Sequence, residues 1–199
     1  IAIFMIANYD PLTLDRGQKD SNFSQNIPAG KFWMLAALIG SLAGDVFLML
    51  QGYFIPGLVA FLLAHIAYIV LLRQGVGWFP SRRALVATLV VGAVMYAFLW
   101  TGGLPAGLRA PVAAYVTVIA LMTAQAIGRA TVLRDKASIV VAVGACCFML
   151  SDSLLATNKF VMPLPLAQFW VLASYYAAQV LIVGGWMRSR QQRQAASQA

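Results

Sequence analysis

Charged side chains are scarce in this sequence. Of its 199 residues only 10% are charged, while 61% are hydrophobic. A soluble domain of this length has too small an interior to bury so much apolar surface, so the composition excludes a soluble globular protein. It predicts instead an integral membrane protein that crosses the bilayer several times.

Glutamate is absent, histidine occurs once and cysteine only twice. The six acidic residues are all aspartates, the histidine is His65, and Cys146 is followed directly by Cys147. Side chains of adjacent helical residues diverge, so this cysteine pair predicts neither a disulfide framework nor a metal site. A zinc site takes about three protein ligands. Only His65 and the two aspartates that lie within apolar runs, Asp45 and Asp152, could supply them. We therefore expect no metal and no other cofactor.

The few charges present are mostly positive, with a formal net charge of +8. In a soluble protein such an excess would suggest nucleic acid, but here the lysines and arginines lie in the loops between apolar runs. That placement is typical of membrane topology and of contact with anionic lipids. We expect membrane lipids and no nucleic acid as partners, and the sequence leaves a homo-oligomer open.

The apolar residues fall into six runs, each of about the 20 residues that a helix needs to cross a bilayer. These runs occupy residues 32–50, 54–72, 84–101, 110–128, 137–156 and 166–187. The connections between them are short and contain glycine and proline, which predicts antiparallel neighbours in one bundle. The expected fold is therefore an all-α, polytopic transmembrane helical bundle with six full spans.

Both ends of the chain are expected to lie outside the bundle. The opening stretch IAIFMIA is apolar but too short to span a bilayer, so we expect it to be the tail of a partial N-terminal helix. A polar, cytoplasmic loop then completes residues 1–31. Residues 32–187 form a single transmembrane domain, and residues 188–199 form a polar, basic cytoplasmic tail.

The distribution of basic residues predicts the orientation of the bundle. If the sides are counted from the loop before the first span, one side holds only Arg109 and Lys159. The opposite side holds the other basic residues: Arg16, Lys19, Lys31, Arg73, Arg82, Arg83, Arg129, Arg134, Lys136, Arg188, Arg190 and Arg193. By the positive-inside rule the richer side is cytoplasmic, and it includes the C-terminus. In a bacterial host the chain would be a multi-pass protein of the inner membrane.

Two aspartates lie inside apolar spans, Asp45 in SLAGDVFLML and Asp152 in GACCFMLSDSLLATNKF. A carboxylate at such a depth is costly unless it faces a polar cavity or a partner, which makes both of them functional-site candidates. At 1.5 Å per residue, each lies about 20 Å from the cytoplasmic side. Because the two residues share a depth, the sequence predicts that they form one site.

Other polar side chains occur at helical spacing near these aspartates or near mid-membrane. They are His65, Tyr68, Tyr96, Tyr115, Ser151, Tyr175, Tyr176 and Gln179. Each group also has a purely structural interpretation, because aspartates and tyrosines can hold helices together and a lone histidine can be a satisfied interior group. Ser151 is a weak nucleophile candidate, since no second histidine completes a conventional triad if His65 is engaged elsewhere.

Taken together, several segments resemble the YhhN-like lysoplasmalogenase family. They are GDVFLM with Asp45, GYFIPGLVAFLLAHIAY with His65 and Tyr68, GACCFMLSDSLLATNKF with Asp152, and ASYYAAQVLI in the last span. The resemblance covers Ser41 to about Ile182 in order, and the combination is specific although each piece alone is weak. It implies a bundle of about eight membrane helices of about 20 residues each, so that one helix and the start of another would precede Ile1.

The resemblance also implies an activity, the hydrolysis of the vinyl ether bond of lysoplasmalogens to a fatty aldehyde and glycerophosphoethanolamine or glycerophosphocholine. It implies a lysophospholipid substrate, and it assigns the family's acidic positions to Asp45 and Asp152. Opening a vinyl ether requires a carboxylic acid that protonates its β-carbon and a second carboxylate that stabilises the cation and activates water. One aspartate would be the acid and the other the base or stabiliser, and the sequence leaves open which is which.

The remaining candidates take supporting roles in this interpretation. His65 would orient a carboxylate or the water, and the hydrogen-bonding groups of the site would be Tyr68, Ser151, Tyr175, Tyr176 and Gln179. The alkyl chain would lie between apolar helix faces. Near the non-cytoplasmic surface the phosphate would meet Asn158, Lys159 or Arg109. Tyr96 and Tyr115 complete the substrate-binding candidates.

Three other functions stay open on the sequence. A proton-coupled transporter of lipids or small solutes would use the same two aspartates as a relay and would release no aldehyde. A receptor-like or structural bundle would need them only for packing, so that changing either to asparagine would mainly alter stability. A metal-dependent membrane hydrolase would lose its activity to chelators.

Overall fold

The structure, a computed structural model, describes residues 29–198, with side chains between residues 30 and 192. All regular structure in this part of the chain is helical, and it comprises six α-helices and one short 3₁₀ turn. They are α1 Ala29–Met49, α2 Phe54–Leu72, α3 Arg82–Thr101, the 3₁₀ turn Ala106–Leu108, α4 Arg109–Leu133, α5 Lys136–Phe160 and α6 Ala167–Gln198. The partial helix and the loop predicted for residues 1–31 lie outside the described residues, except for the last three, which begin α1.

All six α-helices are long and apolar enough to cross a membrane. The chain is therefore a multi-pass membrane bundle, and the prediction of six spans is confirmed. Three helices run past the predicted ends of their spans, to Leu133, Phe160 and Gln198. Lysine, glutamine and arginine are good helix formers, so the end of an apolar run need not end the helix. Lys159 consequently lies on the last turn of α5. Which side of the membrane each end of the bundle faces stays a prediction.

Consecutive helices pack as antiparallel pairs, α1 with α2, α3 with α4, and α5 with α6. Helix α4 joins these pairs, because it also packs against α2 and α5. The buried core between them includes Phe61 and Tyr68 of α2 and Phe148 of α5. Because the helices alternate in direction, the C-terminal halves of α1 and α5, which carry Asp45 and Asp152, lie toward the same end of the bundle.

The third aspartate among the described residues, Asp135, caps a helix. Asp135 directly precedes α5, and Ser138 lies in the first turn of that helix. The Asp135 carboxylate accepts hydrogen bonds from the Ser138 amide at 2.7 Å and from the Ser138 hydroxyl at 2.9 Å. A carboxylate in this position satisfies a free backbone N–H and faces the positive end of the helix dipole. Asp135 thus has a structural role that separates it from the two membrane-embedded aspartates.

Two buried side chains of α4 hold the connection between α2 and α3. The Gln125 carbonyl accepts a hydrogen bond from the Phe79 amide at 2.8 Å, and its amide group donates to the Gly77 carbonyl at 2.9 Å. Arg129, one turn later, donates to the Gln74 carbonyl at 2.6 Å. Arg129 is only 5% exposed. It therefore binds backbone carbonyls inside the connection. The predicted orientation of the bundle treats Arg129 as a charge in a loop at the membrane surface, and the structure differs from that prediction.

Glycine lets α5 and α6 approach until their backbones touch. A Cβ atom on Gly185 would lie 2.8 Å from the Ala137 carbonyl oxygen, and one on Gly144 would lie 3.0 Å from the Ala178 carbonyl oxygen. Contacts that short do not occur in a relaxed interior, so a larger residue at Gly185 would force the helices apart. Close packing of α5 and α6 is thus built into the sequence of both helices.

Candidate active site

Asp152 lies on α5 about two turns before the helix ends. The Tyr115 hydroxyl of α4 donates a hydrogen bond to Oδ2 of Asp152. Tyr115 in turn lies within two turns of the start of α4, so the antiparallel packing of α4 and α5 brings the two residues to one level. A carboxylate with a phenolic donor is a polar group that the interior of a membrane bundle tolerates.

Asp45, on α1, receives its hydrogen bond from α6. The Tyr175 hydroxyl donates to Oδ2 of Asp45 at 2.9 Å. The Tyr175 oxygen accepts a hydrogen bond from the Gln179 amide group at 3.2 Å, and the Gln179 carbonyl accepts one from the Tyr68 hydroxyl at 2.7 Å. Tyr68, Gln179 and Tyr175 are all buried. A continuous line of hydrogen bonds therefore runs from Tyr68 in the core to Asp45.

The two carboxylates lie close enough for their charges to interact. The structure therefore brings Asp45 and Asp152 together, as their shared depth predicts. Two neighbouring carboxyl groups in different surroundings can divide the roles of acid and base between them.

Aromatic rings pack around the tyrosines that hold the carboxylates. Phe148 of α5 packs edge-to-face against His65 at 4.6 Å and against Tyr175 at 5.3 Å between ring centroids. His65 packs edge-to-face against Tyr115 at 5.4 Å. Because other rings pack against Tyr115 and Tyr175, the hydroxyl groups of these tyrosines have little freedom to leave the carboxylates.

His65 takes a different place from the predicted one. It is fully buried, and its ring nitrogens make no hydrogen bond to any other side chain of the described residues. The hydrogen bonds to the two carboxylates come from Tyr115 and Tyr175 instead. His65 contacts the site only through ring packing, so it does not bond to a carboxylate as expected, and its alternative role in orienting the water stays a prediction.

An apolar cavity opens beside Asp152, between α2, α3, α4 and α5. The space enclosed by its walls, counted out to its open mouth, is about 710 Å³. Most of its wall is aliphatic or aromatic, and its polar side chains are Tyr115, Asp152, Ser153 and Lys159. Asp45 is not among the lining residues. Asp152 is therefore the carboxylate that a molecule in the cavity would contact.

Lys159 stands at the outer end of this cavity. It shares a face of α5 with Asp152 and lies two turns, or about 10 Å, farther along the helix. Its ammonium nitrogen lies 4.5 Å from the centre of the Phe54 ring, and its side chain is exposed. A second cleft, along the α1–α2 connection, also reaches Lys159. A positive charge thus lies where the apolar cavity meets the end of the bundle.

Two of the predicted supporting residues lie outside the carboxylate pair. The Ser151 hydroxyl donates a hydrogen bond to the Val171 carbonyl at 3.0 Å, which ties α5 to α6. Tyr176 is 57% exposed and faces outward from α6. Consecutive helical residues point about 100° apart. Ser151 and Tyr176 are therefore turned away from the site by the same geometry that turns Asp152 and Tyr175 toward it.

Of the substrate-binding candidates, Tyr115 and Lys159 line the cavity. Tyr96 is not part of the wall, and its hydroxyl donates to the Arg109 carbonyl at 3.1 Å. Asn158 is not part of the wall either, and its side-chain oxygen accepts a hydrogen bond at 2.9 Å from a backbone amide of the α5–α6 connection. The Arg109 guanidinium lies 4.0 Å above a tryptophan ring. These three residues therefore hold the ends of helices.

Sequence reasoning missed two features of the site. Ser153 lines the cavity beside Asp152, and no pattern in the sequence distinguishes it from Ser151. The sequence predicts Tyr115 as a substrate-binding residue and not as a hydrogen-bond donor to a carboxylate, although its depth in the membrane is similar to that of the two aspartates.

No three His, Cys, Asp or Glu side chains among the described residues come together in a group that could hold a metal ion.

Fold and site together define a polytopic membrane protein with two tyrosine-bonded carboxylates, one of which lines an apolar cavity. The model of the YhhN family matches residues 12–186. The chain belongs to the YhhN family, as the four segments read from the sequence indicate. The match includes Asp45, Asp152 and all of the residues that bond to them.

Several curated relatives carry the name lysoplasmalogenase. Human lysoplasmalogenase TMEM86B is 32% identical over 164 residues, which cover 81% of this chain and 67% of the relative. Lysoplasmalogenase of Mycobacterium tuberculosis is 32% identical over 169 residues, covering 80% of this chain and 62% of the relative. Lysoplasmalogenase TMEM86B of Sus scrofa is 34% identical over 146 residues, covering 73% and 59%. The chain thus spans about two thirds or less of these relatives. No solved structure matches it.

Proposed function

We propose that the protein hydrolyses the vinyl ether bond of lysoplasmalogens and releases a fatty aldehyde and glycerophosphoethanolamine or glycerophosphocholine. Relatives named lysoplasmalogenase support this activity. The observation that carries it in this chain is Asp152 in the wall of an apolar cavity, with Asp45 in electrostatic range. An acid and a base beside an apolar cavity suit the hydrolysis of an ether on a lipid chain.

The reaction divides into two proton exchanges. One carboxylic acid adds its proton to the β-carbon of the vinyl ether, and water attacks the α-carbon of the resulting oxocarbenium ion while the second carboxylate takes the proton that water loses. The hemiacetal then collapses. Its hydroxyl proton returns to the first carboxylate, and the glycerol oxygen leaves with the proton held by the second. Both carboxyl groups end in the state in which they began, as in two-carboxylate hydrolases.

In this proposal Asp45 and Asp152 are the catalytic residues. Tyr115 and Tyr175 hold their carboxylates through the hydrogen bonds described above. The alkyl chain occupies the aliphatic and aromatic part of the cavity, with the vinyl ether next to Asp152. The apolar wall keeps bulk water from the oxocarbenium ion, so the water that reacts is one that a carboxylate binds.

The phosphate of the substrate lies at Lys159. A glycerol unit separates the vinyl ether from the phosphate, and two helix turns separate Asp152 from Lys159, a length of about 10 Å that the flexible lysine side chain can shorten. The opposite charges attract, and the apolar chain and the polar head then match the two ends of the cavity. Arg109, the other basic residue near this end of the bundle, is not part of the cavity wall.

We expect Lys159→Met to raise the KM for a lysoplasmalogen about tenfold while kcat changes less than about twofold, because the ammonium group binds a part of the substrate that does not react. Arg109→Met is the matched control and is expected to leave both constants unchanged. Steady-state kinetics of the two variants in one detergent test this placement. Equal effects of both changes on KM, or an effect of Lys159→Met on kcat alone, would contradict it.

The activity itself is tested by measuring aldehyde release from a lysoplasmalogen by the purified protein, with and without a chelator. We expect aldehyde in both conditions and equal amounts of the glycerophospho product. If a folded preparation releases no aldehyde, the proposed activity is wrong. Proton-coupled uptake by the same preparation in liposomes would then favour the transporter alternative, and loss of aldehyde with chelator would favour a metal-dependent hydrolase.

A further inference from the structure

The line of hydrogen bonds from Tyr68 to Asp45 connects three helices, and each of its four side chains bonds to the next one. Tyr68 is on α2, Gln179 and Tyr175 are on α6, and Asp45 is on α1. The Tyr68 hydroxyl donates to Gln179, the Gln179 amide donates to Tyr175, and the Tyr175 hydroxyl donates to Asp45. A phenol has one hydrogen to give, and because the Tyr175 oxygen accepts from Gln179, the hydroxyl hydrogen is directed to Asp45.

This line can satisfy Asp45 with or without a proton. In the observed direction Asp45 is an acceptor, as an ionised carboxylate must be. If Asp45 takes up a proton, the hydroxyls of Tyr175 and Tyr68 can turn and the Gln179 amide can rotate, so that each hydrogen bond runs the opposite way. Every group then keeps one partner, because hydroxyls and primary amides both donate and accept. A carboxyl group on such a line can change its protonation state while each group of the line keeps a hydrogen-bond partner.

Asp152 has a different environment. Its partner Tyr115 makes no second hydrogen bond among the described residues, so no line extends behind it. Asp152 lines the cavity, whereas Asp45 does not. The carboxyl group that delivers a proton to carbon must contact the vinyl ether, and only Asp152 is in that position. The group that exchanges a proton with water needs no contact with the alkyl chain.

We propose that Tyr68, Gln179 and Tyr175 are positioning residues that let Asp45 act as the base for the hydrolytic water, while Asp152 is the acid that protonates the vinyl ether. The inference rests on the proposed function and assigns its two catalytic roles. Asp152 transfers its proton to the β-carbon, whose C–H bond forms from the electrons of the C=C bond. Water then forms the new C–O bond and gives its proton to Asp45. When the hemiacetal collapses, the bond between the α-carbon and the glycerol oxygen breaks, Asp45 gives its proton to the glycerol oxygen, and the hemiacetal hydroxyl returns a proton to Asp152.

The test compares Tyr68→Phe and Gln179→Met with Tyr176→Phe, a control that removes the same hydroxyl group from an outward-facing residue of α6. We expect the two line variants to lower kcat for aldehyde release at least tenfold and to keep KM within threefold, because neither residue lines the cavity. Thermal unfolding shows whether a variant is folded. If Tyr68→Phe fails to fold, Gln179→Met decides the question, since it keeps the length of the side chain.

The pH profile of kcat separates a positioning role from a merely structural one. The low-pH limb reports the base and the high-pH limb reports the acid. Groups that interact with Asp45 are Tyr175 and Asp152. We expect the line variants to displace the low-pH limb and to leave the high-pH limb in place.

Two results would overturn the assignment while leaving the activity intact. One is a kcat within twofold of that of Tyr176→Phe for both line variants. The other is displacement of the high-pH limb instead of the low-pH limb. Absence of aldehyde from the wild-type protein is a separate result, which would overturn the proposed activity and this assignment with it.

Discussion

Changing Asp152 to asparagine is expected to lower kcat for aldehyde release about 100- to 10,000-fold, the range usual for the loss of a general acid or base. The amide has nearly the shape of the carboxyl group and its oxygen can still accept the hydrogen bond from Tyr115. It cannot give a proton to carbon. The variant should therefore fold and bind substrate normally, and the loss should appear in kcat and not in KM.

The matched control for this change is Ser153→Ala, which alters the next residue in the same cavity wall. The Ser153 hydroxyl bonds to the Met149 carbonyl one turn earlier, at 2.8 Å, so it has no contact with the carboxylates to lose. We expect its kcat to stay within about threefold of wild type. A folded Asp152→Asn protein that kept a tenth or more of wild-type turnover would remove Asp152 from the mechanism, and a drop in stability with normal turnover would favour the purely structural interpretation of the aspartates.

Gly185→Ala is expected to lower the stability of the protein, although it adds only one methyl group. Its Cβ would lie 2.8 Å from both the Ala137 carbonyl oxygen and a Val141 methyl group of α5. Because one of these atoms belongs to the backbone, the helices must separate, and overpacking of this kind costs about 1–3 kcal/mol. The midpoint of thermal unfolding should then be about 2–12 °C lower than that of Gly184→Ala, which gains the same helix propensity without the contact.

Gly184→Ala provides the internal control, since a Cβ at Gly184 would meet no atom within 4 Å. Both changes gain the same helix propensity, roughly 1 kcal/mol, so the difference between them isolates the contact with α5. Thermal unfolding in one detergent measures that difference. Equal midpoints for Gly184→Ala and Gly185→Ala would mean that α5 and α6 do not pack as closely as described. Aldehyde release should fall with stability in Gly185→Ala, because Asp152 and Tyr175 lie on the two helices that separate.

Hydrophobic run length was sufficient to predict the number of spans, because crossing a bilayer imposes one length on every helix. The ends of the helices were less predictable. Lys159 was placed beyond its span, but it lies within α5, since a helix can continue into the interface where its polar side chains meet water. The same continuation puts Lys159 on the helix face of Asp152, and that relation became visible only when the end of α5 was known.

Depth along each helix could be counted from the sequence, and it correctly brought Asp45 and Asp152 to one end of the bundle. Rotation about each helix axis could not be counted, because it depends on which neighbours pack against it. The sequence therefore cannot show which of two adjacent residues faces the site. Ser151 and Tyr176 were expected beside the carboxylates, yet they face α6 and the outside of the bundle.

The hydrogen-bond partners of the two carboxylates were the least predictable feature of the site. His65 has the only imidazole in the chain, and its chemistry suggested a direct role at a carboxylate. In the structure the donors are Tyr115 and Tyr175, and His65 packs against the ring of Tyr115. Several hydroxyls, one amide and one imidazole at similar depths allow many pairings, and only the packed interior selects one of them.

The carboxyl group and the ammonium group to which the proposed function assigns the reaction and the phosphate lie on a single helix, and this would have a consequence for selectivity. Residues 152 and 159 are fixed relative to each other by the internal hydrogen bonds of α5, whatever the surrounding helices do. Outward movement of α2 or α3 to admit a lipid would change the width of the cavity and leave this spacing unaltered. In the proposed function, helix α5 would therefore fix the distance between the backbone positions that hold the glycerol segment, and the neighbouring helices would decide which alkyl chains fit.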